Sequence, residues 1–127
     1  MSYSVLFHAD QKIIETRFGG NISLGELKHA FSEALLLAKE HDTILFLNNF
    51  LDATIALTVI DIFQLPEILS SIAASHGFVA NSLKRAFVIS PDLTRDSKFA
   101  EDVSFNRGHA VRSFLDIHEA MDWLSST

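Results

Sequence analysis

Cysteine is missing from all 127 residues, which excludes disulfides, thiol catalysis and thiolate metal sites together. Proline (two) and glycine (five) are scarce, and no linker, internal repeat or low-complexity tract divides the chain. Basic residues are few and scattered, ten Lys and Arg against sixteen Asp and Glu, for a formal net charge of −6. A surface that tracks phosphates needs clustered cations, so nucleic acid is excluded as a partner. No apolar run approaches the ~18 residues of a membrane span, because Asn48, Asn49, Asp52 and Asp61 break the longest one. The opening MSYSVLFHADQK has neither the basic n-region nor the apolar h-region of a signal peptide, so a cytoplasmic location is expected.

Recognisable chemistry is equally thin. The six His (His8, His29, His41, His76, His109, His118) form no H-x-x-x-H or H-E-x-x-H arrangement, which leaves zinc and other metals without support. His8 and Asp10 have an alternating-strand spacing, but two ligands do not make a site. No G-x-S-x-G elbow, G-x-G-x-x-G turn or phosphate-binding P-loop is present. The expectation is a non-enzymatic protein with no cofactor.

What the chain does contain is core. Apolar residues make up 48% and charged residues 20%, with eleven Phe, as in a single folded domain long enough to bury a proper interior. Tyr3 to His8 and Lys12 to Phe18 are β-rich around Ala9-Asp10-Gln11 and read as an antiparallel hairpin; Ile14, Thr16 and Phe18 alternate with Ile13, Glu15 and Arg17. Gly19-Gly20-Asn21 is expected to stop the second strand. Ser23 to Glu26 has the capping-box spacing, and Leu24, Leu27, Ala30, Phe31, Ala34, Leu35 and Ala38 recur along one helical face.

Ile44 to Leu47 is a short apolar run, the pattern of a strand covered on both sides, and Asn48 to Thr54 reads as the loop at its carboxyl end. Thr58 with Asp61 caps a second helix whose inner face would hold Val59, Ile62, Phe63, Pro66, Leu69, Ile72 and Ala73. Pro66 costs that helix a hydrogen bond, so it either kinks there or splits with Pro66 opening a second helix; we read one kinked helix. Arg85 to Ser90 is a further buried strand, Asp96 to Arg107 a third helix ended by Gly108, and Ala110 to Leu115 the last strand. Asp116 to Glu119 caps a final helix that buries Ile117, Ala120, Met121 and Leu124, with Trp123 over an edge of the core. The order β-β-α-β-α-β-α-β-α predicts an α/β domain with a mostly parallel five-stranded sheet, an antiparallel first strand and helices packed on it.

Three pieces, DIHEAMDWL from Asp116 to Leu124, Asn106-Arg107-Gly108, and Phe63-Gln64-Leu65-Pro66, make nearly the whole chain resemble the STAS-like group, small bacterial domains with a SpoIIAA-like fold related to anti-anti-sigma factors and described as STAS/Sec14-like. The resemblance implies a regulatory interaction domain, with a small-ligand or lipid carrier as the alternative. Anti-anti-sigma factors carry an Asp-Ser-Ser-Gly type motif after the third strand, where a Ser is phosphorylated. Here Asp52-Ala53-Thr54 or Ala56-Leu57-Thr58 stands in that place, with neither Ser nor Gly. The phosphorylation switch does not carry over, and Thr54 or Thr58 is at most a variant acceptor.

Two sites are expected on physical grounds. Ligands of open parallel sheets collect beyond the carboxyl ends of the strands, which selects Asn48, Asn49, Asp52, Thr54, Thr58 and Ser90 for a polar small molecule, although Asn and Gly also serve as caps wherever strands end. The second is an interface. Ile55, Leu57, Ile60, Leu65 and Ile68 lie off the inner stripe of the second helix, and surplus apolar surface marks contact; a homodimer or protein partner through that helix is expected. Arg107, in the last turn of its helix, suits the helix dipole better than a binding site.

Overall fold

The computed structural model describes residues 3–55, 57–79, 82–90 and 110–126, with backbone alone at Ile55, Val59 and Ile62. Among the described residues eight elements follow in order: β1 (Tyr3–His8), β2 (Ile13–Ile22), α1 (Leu24–His41), β3 (Leu45–Ile55), α2 (Val59–Ser75), β4 (Lys84–Val88), β5 (Ala110–Phe114) and α3 (Ile117–Ser125). The expected helix from Asp96 to Arg107, and with it Arg107, lies outside the described residues. The five strands form one sheet in the order β1-β2-β3-β4-β5, antiparallel at β1/β2 and parallel thereafter. This is the α/β architecture that the alternation of elements predicts.

Sequential order has a consequence for the layers. Right-handed crossovers that each advance one strand in the same direction put α1 and α2, which link β2 to β3 and β3 to β4, on a common face. Accordingly α1 and α2 pack together over Ile14, Phe46 and Leu83, while α3, which follows the last strand, covers Ile13, Leu47, Ala86 and Val88 from the other side. Fully apolar central strands are the result of that double cover.

Two strands run further than their composition suggests. β2 continues through Gly19-Gly20-Asn21 to Ile22, and β3 through Asn48 and Asp52 to Ile55, so both segments expected as loops are strand. Parallel pairing holds them: Thr16 sits beside Asn48, then after a bulge opposite Phe18 the ladder resumes at Gly19 beside Asp52 and ends at Ile22 beside Ile55. The bulge inserts one extra residue into β3, and Gly20 accepts a φ of 75° that a side chain would resist.

Capping residues set the helix ends. Ser23 accepts from the Glu26 amide, while Glu26 itself meets the Ser23 hydroxyl and not its amide, so the expected reciprocal box is half made. Thr58 and Asp61 complete theirs: the Asp61 amide donates to the Thr58 hydroxyl at 3.1 Å and the Thr58 amide to the Asp61 carboxylate at 3.0 Å. Asp116 caps α3 by accepting from the His118 amide. α2 is a single helix that passes through Pro66, which is buried. At the far end of α3, the Lys84 ammonium donates to the carbonyls of Trp123 and Ser126 and lies 4.7 Å from the centre of the Trp123 ring, a cation on the orphan carbonyls of a helix terminus.

The face under α1 and α2 is rich in aromatic contacts. Tyr3, Phe18, Phe50 and Phe87 touch in series across four strands, with ring centres 6.1, 4.5 and 5.9 Å apart. Phe31 of α1 meets Phe46 and also carries the buried Arg85 guanidinium 5.9 Å from its ring centre; burial pulls Arg85 down to about 10, still charged at neutral pH. Buried Ala30, Ala34 and Ala38 keep the backbone of α1 close to the strands.

Candidate functional site

Side chains alternate across a strand, so register divides the polar residues between the two faces. Ile13, Glu15, Arg17 and Asn21 of β2 point to the α3 side, as do Leu47 and Asn49 of β3, while Asn48, beside Thr16, points to the α1/α2 side. Beyond the bulge the parity of β3 reverses. Ala53 joins the aromatic core, and Asp52 and Thr54 therefore turn to the α3 side, where the Thr54 hydroxyl donates to Asn21 at 3.1 Å. A row of polar residues runs along β2 and β3 on that face.

At its base is a buried acid. Glu15 is 0% exposed, yet its two carboxylate oxygens receive donors from three strands. His8 Nε2 of β1 lies 2.6 Å from Oε1, Arg17 donates from Nε to Oε2 at 2.9 Å and from Nη2 to Oε1 at 3.4 Å, and Asn49 Nδ2 of β3 donates to Oε2 at 3.2 Å. The Arg17 and His8 side chains are 55% and 29% exposed, so the charge is sealed by groups that reach solvent. Desolvation pushes the Glu15 pKa up, but the hydrogen bonds from Arg17, His8 and Asn49, with the Arg17 charge, outweigh it and hold the carboxyl below its ordinary value. His8 is the member drawn in from the hairpin, and its partner is Glu15 and not Asp10.

The expected ligand residues are thus redistributed. Asn49 is spent on structure, since its amide donates to Glu15 and its carbonyl accepts from the Leu51 amide. Asp52 and Thr54 share the α3 side with the Glu15 cluster and are exposed. Asn48 points to the opposite face, Thr58 caps α2 with its hydroxyl, and Ser90 lies half-buried just past β4. They do not converge on one pocket, because the segment that carries Asn48 to Thr54 is a pleated strand and not a loop. Glu15 and Arg17 were not among the expected site residues. Their i, i+2 spacing between apolar Ile14 and Phe18 was the available signal, since opposite charges two apart on a strand share a face. Among the described residues no group of three or more His, Asp or Glu is placed to hold a metal.

The expected interface residues also separate. Ile60 of α2 is 67% exposed, whereas Leu65 packs against the core and Leu57 and Ile68 are half-buried. The inner face runs through Leu65, Pro66, Leu69, Ile72 and Ala73, which turns Phe63 outward at 52% exposure, opposite to the inward position expected for it. The side chain of Ile55 lies outside the described residues. Ile60 and Phe63, three residues apart, therefore share an outer face.

Sheet order, the antiparallel first strand and the division of helices between the faces define a SpoIIAA-like, or STAS-like, fold. A solved structure with that fold, an uncharacterized protein of the DUF3478 family from Shewanella loihica PV-4, superposes with a TM-score of 0.57 over 96% of this chain and 91% of its own, at 14% identity. No family model matches the sequence, and no curated protein matches it either. No helix among the described residues is long and apolar enough to cross a membrane.

Proposed function

We propose that this SpoIIAA-like chain is a non-enzymatic interaction domain with a regulatory role, which self-associates through the outer face of α2. The observation that carries this reading is the pair Ile60 and Phe63, two large apolar side chains more than half exposed within the first two turns of the helix. Isolated exposed apolar residues are ordinary, but two on one helix face, with half-buried Leu57 just before the helix, concentrate apolar surface there. A two-fold contact suits it, since each residue of the patch then meets the same patch on the second copy. One helix face supplies less than the ~800 Å² per partner of a standard stable interface, so the association is weak and reversible.

Light scattering on the intact chain at micromolar concentration tests the proposal. The expected result is a mass above the monomer that rises with concentration, and Ile60→Asp reduces it to the monomer without changing the melting temperature, because the side chain is exposed. A wild-type monomer throughout the concentration range overturns the reading.

A further inference from the structure

Arg17 uses two of its five N–H donors. The side edge of the guanidinium, Nε–H and one Nη2–H, is turned to the Glu15 carboxylate. The end edge, formed by Nη1–H and the second Nη2–H, is a second planar fork with the same reach. Among the described residues that end edge meets no acceptor, and the side chain is 55% exposed.

The acid behind it is held far more firmly than a surface arginine requires. An exposed guanidinium is content in water, and an exposed ion pair contributes little. Glu15 instead sits fully buried between Ile13 and the strip formed by Leu47 and Asn49, fixed by His8 and Asn49 as well as Arg17. Burying a carboxylate carries a desolvation penalty that an apolar residue in the same place avoids. Its effect on Arg17 is to fix the plane and direction of the exposed fork, as an outer layer of hydrogen bonds orients a binding group. Further along the same row, Asn21 offers its side-chain amide; its carbonyl oxygen already accepts from Thr54, and Nδ2 has no partner among the described residues.

We propose that the end fork of Arg17, aimed by buried Glu15, docks a carboxylate or phosphate group carried by a small molecule. Asp52, exposed on the same side, and the net charge of −6 remove any long-range attraction for anions. Recognition therefore rests on the short-range geometry of the fork, which suits a small ligand and disfavours a polyanion. The site lies on the face of the sheet opposite α2, so it stands or falls independently of self-association.

The Nε–Hε resonance of Arg17 in the intact, nitrogen-15-labelled chain reports on it directly. Sodium phosphate and sodium acetate are titrated separately at constant ionic strength, with sodium chloride as the reference. At least one of the two produces a saturable shift that chloride does not. Arg17→Lys keeps the charge but removes the fork, and weakens binding by about tenfold or more, followed through the neighbouring backbone amides. Glu15→Gln also weakens it, although that substitution makes the site more positive; a purely electrostatic attraction would strengthen. Chloride-like, non-saturating responses to both anions overturn the proposal, as does undiminished affinity in an Arg17→Lys variant whose amide spectrum shows that it is folded.

Discussion

The two faces of the sheet bury the same strands by different means. Under α1 and α2 the work is done by shape and area: Ile14, Leu35, Phe46 and Leu69 form one cluster and the aromatic series from Tyr3 to Phe87 another. On the α3 side, aliphatic packing over β3 and β4 stops at β2, where Glu15 is buried by directed bonds to His8, Arg17 and Asn49. Apolar burial is non-directional and scales with area, so the apolar positions of the first face tolerate apolar side chains of similar volume. The second depends on the identity of each partner, because a buried polar atom left unpaired loses its solvation with nothing in return. Both faces bury an apolar core, and the network of directed bonds around a buried acid lies beside β2 on the α3 side.

The largest predicted effect is on the apolar face. Phe46→Ala removes a buried ring and leaves a cavity between α1 and β3, at about 3–5 kcal/mol, whereas Phe46→Leu, nearer in volume, costs less than about 1.5 kcal/mol. Urea unfolding of the two variants measures both. On the α3 side the order of tolerance reverses. Glu15→Gln keeps the shape but gives Arg17 and His8 a poorer acceptor and faces Asn49 with a second amide, at about 1–3 kcal/mol. Glu15→Leu abandons the network altogether; Arg17 and His8 can turn to solvent, and the apolar substitution costs less than the isosteric one. If Gln proves milder than Leu, the face is not organised by directed bonding as argued.

Acid sharpens the same contrast. The folded Glu15 pKa lies below its ordinary 4.5, so its ionised form favours the folded state; that contribution is complete above about 4.5 and is lost as pH falls through the depressed folded value. Melts of wild type and Glu15→Gln between neutral pH and pH 3 therefore converge as the acid limb is entered, with the wild type falling more steeply. Parallel curves would mean that Glu15 carries no more weight than a surface carboxylate.

Local signals in the sequence were sufficient for the parts of the fold that local chemistry decides. The stripe from Leu27 to Ala38, the Thr58–Asp61 cap and the apolar runs at Leu45 and Arg85 each contain their own explanation within a few residues. Gly19 to Asn21 and Asn48 to Thr54 do not, because their composition is that of a loop and they are made strand by pairing with partners distant in sequence, Gly19 to Asn21 with Asp52 to Thr54, and Asn48 and Asn49 with both β2 and β4. The same non-locality hid the Glu15 cluster: the charges were visible, but their common face and their burial depend on the register of three strands. On α2, a rotation of the inner stripe by one position moved Leu65 in and Phe63 out. Hydrophobicity on both sides of that helix leaves its period ambiguous, and packing against α1 settles it.

The smallest predicted effect lies where the aromatic series reaches the edge of the sheet and acquires a polar end. The Tyr3 ring, 6.1 Å from Phe18, belongs to the apolar face, while its hydroxyl donates to Glu33 of α1 at 2.8 Å. Burial first, then the hydrogen bond to Glu33 and the charges of Glu33 and Glu26, push the phenol up to about 12 from an ordinary 10. A folded pKa raised in this way means that the neutral phenol favours the folded state, so its contribution is fully present below pH 10 and disappears as pH rises through about 12. Tyr3→Phe keeps the ring contact and deletes only the bond, at roughly 0.5–1 kcal/mol near neutral pH. Because lysines also lose their charge in the alkaline range, the informative quantity is the difference between wild type and variant in melts taken at rising pH. That difference shrinks above pH 10 if the hydroxyl bond is what joins β1 to α1, and stays constant if the ring alone does so.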